Sequence, residues 1–101
     1  MSEAHFNGLT PAEAERLAML AEECGEVIQV VGKILRHGYD SYHPDQAGKA
    51  PQFRYTNRDM LTHELSDLFA VIEMMDADHA RIDASEQEAA FAKKMRYAHH
   101  Q

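Results

Sequence analysis

The chain has 101 residues, 45% of them apolar, with 17 acidic against 10 Lys or Arg side chains and a formal net charge of -7. That length allows one domain with a small core, and that charge disfavours nonspecific binding to a nucleic-acid polymer. A single cysteine, Cys24, excludes an intrachain disulfide framework; no apolar run has the length of a membrane span and no basic-then-apolar leader opens the chain, so a soluble, cytoplasmic protein with no membrane partner is expected.

Met1 to Leu9 is short and polar, with a turn at Asn7-Gly8. Thr10-Pro11-Ala12-Glu13 then reads as a helix start: a Thr N-cap, Pro where its missing N–H costs nothing, and Glu at the capping-box position. From Pro11 to about His37, Leu17, Leu20, Cys24, Val27, Ile28, Val31, Ile34 and Leu35 recur at spacings of three and four, and Gly38 is the natural stop. Such a helix is roughly 40 Å long, a large element for a small domain. Ala18, Ala21, Gly25 and Gly32 add a stripe of small residues, which suits either a close neighbouring helix or a bend at Gly32.

Residues 39–55 hold Pro44, Gly48 and Pro51 with no sustained periodicity and form a loop rich in rings: Tyr39, Tyr42, His43, Phe53 and Tyr55. Thr56-Asn57-Arg58-Asp59 is a second capping box, with Asn57 as an alternative cap. The helix it opens carries Leu61, Leu65, Leu68, Ile72 and Met75 on one face, widened by Phe69 and Val71, and runs to Met75 or slightly beyond. After a turn over 76–83, a cap at Asp83 or Ser85 starts a third helix through about Ala98, with Phe91, Met95 and Ala98 as its expected core face. The fold class is therefore all-α: one helical domain over 1–101, built on a long antiparallel helix pair plus a third helix and completed by oligomerisation.

Chemistry concentrates in two acidic pairs, Glu23/Glu26 and Glu64/Asp67, each three residues apart and so on one face of its helix. An isolated pair of this kind is ordinarily a solvated surface. Here Glu64 and Asp67 interrupt an apolar segment, and acids at the margin of a core are paired or metal-bound. If the two helices pack side by side, four carboxylates meet, and their repulsion calls for a hard cation; oxygen-only ligands suit Mg2+ or Mn2+.

With Glu22 included, the two segments read Glu22-Glu23-x-x-Glu26 and Glu64-x-x-Asp67, and this pattern resembles the EExxE and ExxD halves of the MazG-like family of all-α nucleoside triphosphate pyrophosphohydrolases. The likeness covers roughly Leu17 to Met75, with a weaker echo around Lys93-Lys94-x-Arg96; the two halves are separated by more residues than the compact family pattern has, the excess lying in the ring-containing loop. The resemblance implies that Glu23, Glu26, Glu64 and Asp67 bind Mg2+, and that a free (deoxy)nucleoside triphosphate is cleaved between its α and β phosphates to a monophosphate and pyrophosphate. Glu22 matches the extra acid of the first half, with metal binding, water orientation and a general-base role all open to it. The resemblance also implies a homodimer or homotetramer and a role in cleansing the nucleotide pool.

Lys33 and Arg36 follow Glu26 on the first helix, and Lys93, Lys94 and Arg96 enrich the third; these are the phosphate-binding candidates, each set against an ordinary solvated role. His37, Tyr39, Phe53, Tyr55 and Asn57 are the base-binding candidates, although Asn57 is better explained as a helix-start residue. His63, beside Glu64, is weighed as a support for a metal ligand against a packing or solvent role, the latter being the stronger expectation, and Cys24 is expected to be a small core or interface residue. The competing reading is a noncatalytic helical regulatory or structural protein whose acids form a partner-binding or metal-binding surface.

Overall fold

A computed structural model describes residues 6–77 and 82–100. Three α-helices account for most of them: α1 (Pro11–His37), α2 (Asn57–Ala77) and α3 (Ala84–Tyr97). Among the described residues there is no sheet, only an isolated antiparallel bridge between Tyr42 and Thr56.

The helix starts follow the capping chemistry of the sequence. The Glu13 amide donates to Thr10 Oγ1 at 3.1 Å while the Thr10 amide donates to Glu13 Oε1 at 2.8 Å, so both halves of the first capping box are closed. The second is closed in the same way between Thr56 and Asp59, at 2.9 and 3.3 Å; Thr56, not Asn57, is the cap. At the third start Asp83 Oδ1 accepts from the Glu86 amide at 3.0 Å. α1 ends at Gly38, whose φ of +89° suits a residue without Cβ and whose amide reaches back to the Ile34 carbonyl at 2.7 Å.

α1 and α2 pack as an antiparallel pair, and the loop between them is tied to the first turn of α2. Asn57 is buried; its side-chain amide donates to the Gly38 carbonyl at 3.1 Å and its backbone amide to the Ser41 carbonyl at 2.9 Å, while the Arg58 amide donates to the Tyr39 carbonyl at 2.8 Å. The rest of 39–55 holds two short 3-10 turns, Pro44–Gln46 and Pro51–Phe53. Arg54 stitches them together through the Lys49 and Ala47 carbonyls at 3.0 and 3.3 Å. The loop thus has an internal architecture that its sequence, lacking any period, did not disclose.

The apolar residues of α1 divide between two sides. Leu20, Val27, Val30 and Ile34 turn inward with Leu61, Leu65, Leu68, Val71, Ile72 and Met75 of α2, but among the described residues only Val30 and Val71, 4% and 3% exposed, are buried apolar side chains. Leu17, Cys24, Ile28, Val31 and Leu35 stay exposed, so Cys24 is not a core residue in the protomer; it lies around α1 from the seam with α2. No neighbouring helix of the chain approaches the small-residue stripe at Gly25. α1 runs unbroken through Gly32, and a Cβ at Gly25 would meet open space.

α3 departs most from expectation. Phe91, Met95 and Ala98 do not form a core face: every residue of α3 is exposed, and the helix packs against neither α1 nor α2. The radius of gyration is accordingly 18.1 Å, where a compact domain of this length has roughly 13 Å. No helix among the described residues is long and apolar enough to cross a membrane.

The Asn57 clip yields a stability prediction. Asn57→Ala leaves the Gly38 carbonyl without its buried donor and should destabilise the protein by about 1–3 kcal/mol. In urea melts at fixed protein concentration the midpoint should fall with little change in slope; an unchanged midpoint would remove the clip from the fold's essential contacts.

Candidate metal centre

The seam between α1 and α2 brings the two acidic pairs together. One carboxylate oxygen from each of Glu23, Glu26, Glu64 and Asp67 can be chosen so that all four lie within 4.8 Å of one another. Each pair spans one turn of its helix, so both members reach the seam, and the antiparallel packing sets the pairs opposite each other. All four residues are half-buried.

Electrostatics reports the crowding. Burial first, then the charges of Glu26, Asp67 and Glu22, raise the Glu23 carboxyl above the ordinary glutamate range. Glu26 is raised chiefly by its hydrogen bond with Glu64 and by the charge of Glu64, with burial and Asp67 adding to it. Without a counter-charge the cluster therefore favours sharing protons. Two oxygens, Glu23 Oε2 and Glu64 Oε2, are shielded from solvent and have no hydrogen-bond donor. Shielded carboxylate oxygens without donors are costly. Converging oxygens, raised pKa values and donorless atoms together fit a divalent cation, for which all four groups would be ligands.

Around the cluster, Glu22 is exposed and acts on Glu23 through its charge. Of the two readings for His63, support of a ligand and a packing or solvent role, its position fits the first: Nε2 lies 3.4 Å from Asp67 Oδ2, one helical turn away. The i,i+4 spacing of His63 and Asp67 was the available signal for that contact. Lys33 lies two turns beyond Glu26 on the same side of α1, and its Nζ is 3.9 Å from Met60 Sδ on α2. Arg36 is exposed farther along α1. Lys93, Lys94 and Arg96 belong to α3, which packs on neither helix of the seam, so one protomer does not bring them to the acids.

The ring-bearing residues gather at the tip of the hairpin. His37 closes α1 eleven residues beyond Glu26, which is roughly 16 Å along the axis. Tyr39 is covered by the Arg58 guanidinium at 4.4 Å and Tyr42 by that of Arg54 at 4.5 Å, pairings that sequence reading missed because they join residues with no fixed spacing. Phe53 and Tyr55 are exposed, and the Asn57 amide is occupied by Gly38.

Comparison with known proteins adds one finding to this geometry. No curated protein and no solved structure matches the chain significantly. The model of the MazG nucleotide pyrophosphohydrolase domain matches residues 12–101, a span that includes both helices of the seam, all four clustered carboxylates and α3. With most of its length matched, the chain belongs to the MazG nucleotide pyrophosphohydrolase family, and its half-buried carboxylate cluster is a candidate site for a divalent metal.

Proposed function

We propose that the protein hydrolyses a (deoxy)nucleoside triphosphate at the bond between the α and β phosphates, releasing a nucleoside monophosphate and pyrophosphate, with Mg2+ as the working metal and Mn2+ as a substitute. The observation that carries this reading is the convergence of four carboxylates with two donorless, shielded oxygens in a chain of the pyrophosphohydrolase family. A divalent cation so held would offset the charge of the phosphates and lower the pKa of water bound to it.

The protein's own groups take the remaining roles. Glu23, Glu26, Glu64 and Asp67 hold the cation, and the helices fix their positions before substrate arrives. Glu22, exposed beside Glu23, accepts the proton of the attacking water. Lys33, on the same side of α1 as Glu26, meets the negative charge of the outgoing phosphates. His63 orients Asp67 through their contact. Removal of surplus or noncanonical deoxynucleotides in the cytoplasm is the broad role this chemistry serves.

The deciding experiment is a panel of canonical and noncanonical ribo- and deoxynucleoside triphosphates with Mg2+, quantifying monophosphate, pyrophosphate and orthophosphate. Equal yields of monophosphate and pyrophosphate are expected. Orthophosphate in place of pyrophosphate would reject the bond assignment. No turnover by folded protein with Mg2+ or Mn2+ would return the chain to a noncatalytic helical partner protein. Glu26→Gln should lower kcat/KM at least about 100-fold with helical content retained; most of the activity surviving would remove Glu26 from the site.

Acidity gives an independent check. The carboxyls of Glu23 and Glu26 titrate higher in the folded chain than in the unfolded one, so the metal-free fold holds the extra protons and loses stability as pH rises through that interval. Asp59 and Asp83 have the opposite sign: hydrogen bonds from Thr56 and from Glu86 and Ser85 lower them, and their contribution is lost as pH falls below the ordinary aspartate range. Metal-free melting temperature should therefore peak in mildly acidic buffer and decline toward neutrality. The double variant Glu23→Gln, Glu26→Gln should flatten the decline, and Mg2+ at neutral pH should raise the wild-type melting temperature and release protons measurable in weakly buffered solution. A metal-free profile still rising between pH 5 and 8 would contradict the electrostatics of the cluster.

A further inference from the structure

One flank of the hairpin is bordered by two regularly spaced rows of side chains. On α1, Met19, Glu22, Glu26, Gln29, Lys33 and Arg36 follow alternating steps of three and four; on α2, Met60, His63, Asp67, Ala70 and Met74 do the same. Such steps keep each row on one side of its helix. The approach of Lys33 Nζ to Met60 Sδ at 3.9 Å and the clustering of Glu26 with Asp67 put both rows on the same side of the seam. The register that sets Glu26 against Glu64 and Glu23 against Asp67 also sets Met19 level with the turn from Ala70 to Met74.

Charge changes sign along this flank. Between the acids and the tip stand Lys33 and Arg36, neither of which has a carboxylate partner among the described residues. Long side chains on a helix lean toward its N-terminus, which here means toward the acids. Arg36 shows the lean: a Cβ at Gly32 would lie 3.4 Å from its Nη1, so the guanidinium is folded back over that glycine, one turn nearer Glu26. On the other side of the acids the flank is apolar or negative. Met19 is one turn before Glu23, roughly 6 Å along the axis; it is half-buried, while Ala70 and Met74 opposite are exposed. Glu22 and Glu15 add negative charge, and the base of α1 at that end, Arg16, is held by Glu15 at 2.9 Å.

We propose that a nucleoside triphosphate lies along this flank in one direction, its polyphosphate pointing to the tip, where Lys33 and Arg36 meet the outgoing end, and its nucleobase resting on Met19, Ala70 and Met74. The inference rests on the reaction proposed above and assigns each half of the substrate to one end of the site. The reverse direction sets phosphates against Glu22 and Glu15 and leaves Lys33 and Arg36 facing an uncharged base, so electrostatics separates the two. Thioethers are polarisable and pack well against an aromatic ring, which suits Met19 and Met74 to the face of a base. The ring-bearing loop is on the wrong side of the cations for that task, and one face of Tyr39 and of Tyr42 is already taken by Arg58 and Arg54.

Photo-cross-linking of the wild-type protein with 4-thiothymidine triphosphate, kept uncleaved by Ca2+ in place of Mg2+, tests the placement. Mass mapping should find the adduct on α1 at or beside Met19, or on α2 between Ala70 and Met74, and unmodified thymidine triphosphate should compete it away. An adduct within residues 38–56 would put the base on the loop and overturn the proposal, as would the absence of any adduct that the unmodified nucleotide displaces. At the other end, Arg36→Gln should weaken the binding of inorganic pyrophosphate to the Mg2+-loaded protein at least about tenfold in titration calorimetry. Arg36 is exposed, so the fold should survive the change. Unchanged pyrophosphate affinity in both Arg36→Gln and Lys33→Gln would overturn the direction. The reaction and the placement fail separately: turnover in the nucleotide panel with an adduct on the loop rejects the placement alone, whereas a displaceable adduct at Met19 or Met74 without turnover rejects the reaction and supports the placement.

Discussion

Mutual repulsion among four carboxylates governs how this small chain can be built. Glu23, Glu26, Glu64 and Asp67 occupy positions along the α1–α2 seam that apolar side chains would otherwise fill, and they divide the hairpin's limited contact surface. Val30 and Val71 are the only buried apolar side chains among the described residues. Stability has to be recovered elsewhere: at the tip, where Asn57 and the capping pair Thr56/Asp59 fix the loop to α2, and at the capped start of α1. The raised pKa values of Glu23 and Glu26 and the donorless oxygens of Glu23 and Glu64 are the residue of a conflict that packing alone leaves in place. A fold carrying such a conflict at its centre has traded some stability for a site.

Much of this was written in short-range patterns. Thr10 with Glu13 and Thr56 with Asp59 announced two helix starts, because a capping box needs only four consecutive residues. The two acidic pairs were equally legible, since a spacing of three on a helix leaves little doubt about which side chains share a face. That the pairs would meet required one further step, antiparallel packing across the loop, and the structure supplies it.

What escaped sequence reading is long-range or many-sided. The apolar positions of α1 span a wide arc, and periodicity alone cannot say that Val27 and Ile34 turn toward α2 while Ile28 and Leu35 turn away. The same limit applies to α3: its amphipathic pattern promised a core face at Phe91 and Met95, but a pattern requires burial without naming the surface that provides it. The pairing of Arg54 with Tyr42 and Arg58 with Tyr39 depends on how a nonperiodic loop turns back on itself. Asn57 shows the converse: its place at a helix start was apparent, whereas the buried hydrogen bond to Gly38 depends on residues 19 positions away.

That clip also bears on the order of events in folding. The contact between Asn57 and Gly38 closes a much shorter stretch of chain than any contact between Glu23 and Asp67, so its loop-closure entropy is smaller. A hairpin zipped from its tip assembles the carboxylates after the turn and the adjoining apolar turns are in place. Repulsion among the acids then weighs midway, before the far turns of α1 and α2 that carry Leu20, Val71, Ile72 and Met75 have closed. A cation at the cluster would accordingly ease the passage from the tip to the far half of the hairpin, acting on the speed of folding as well as on the lifetime of the native state.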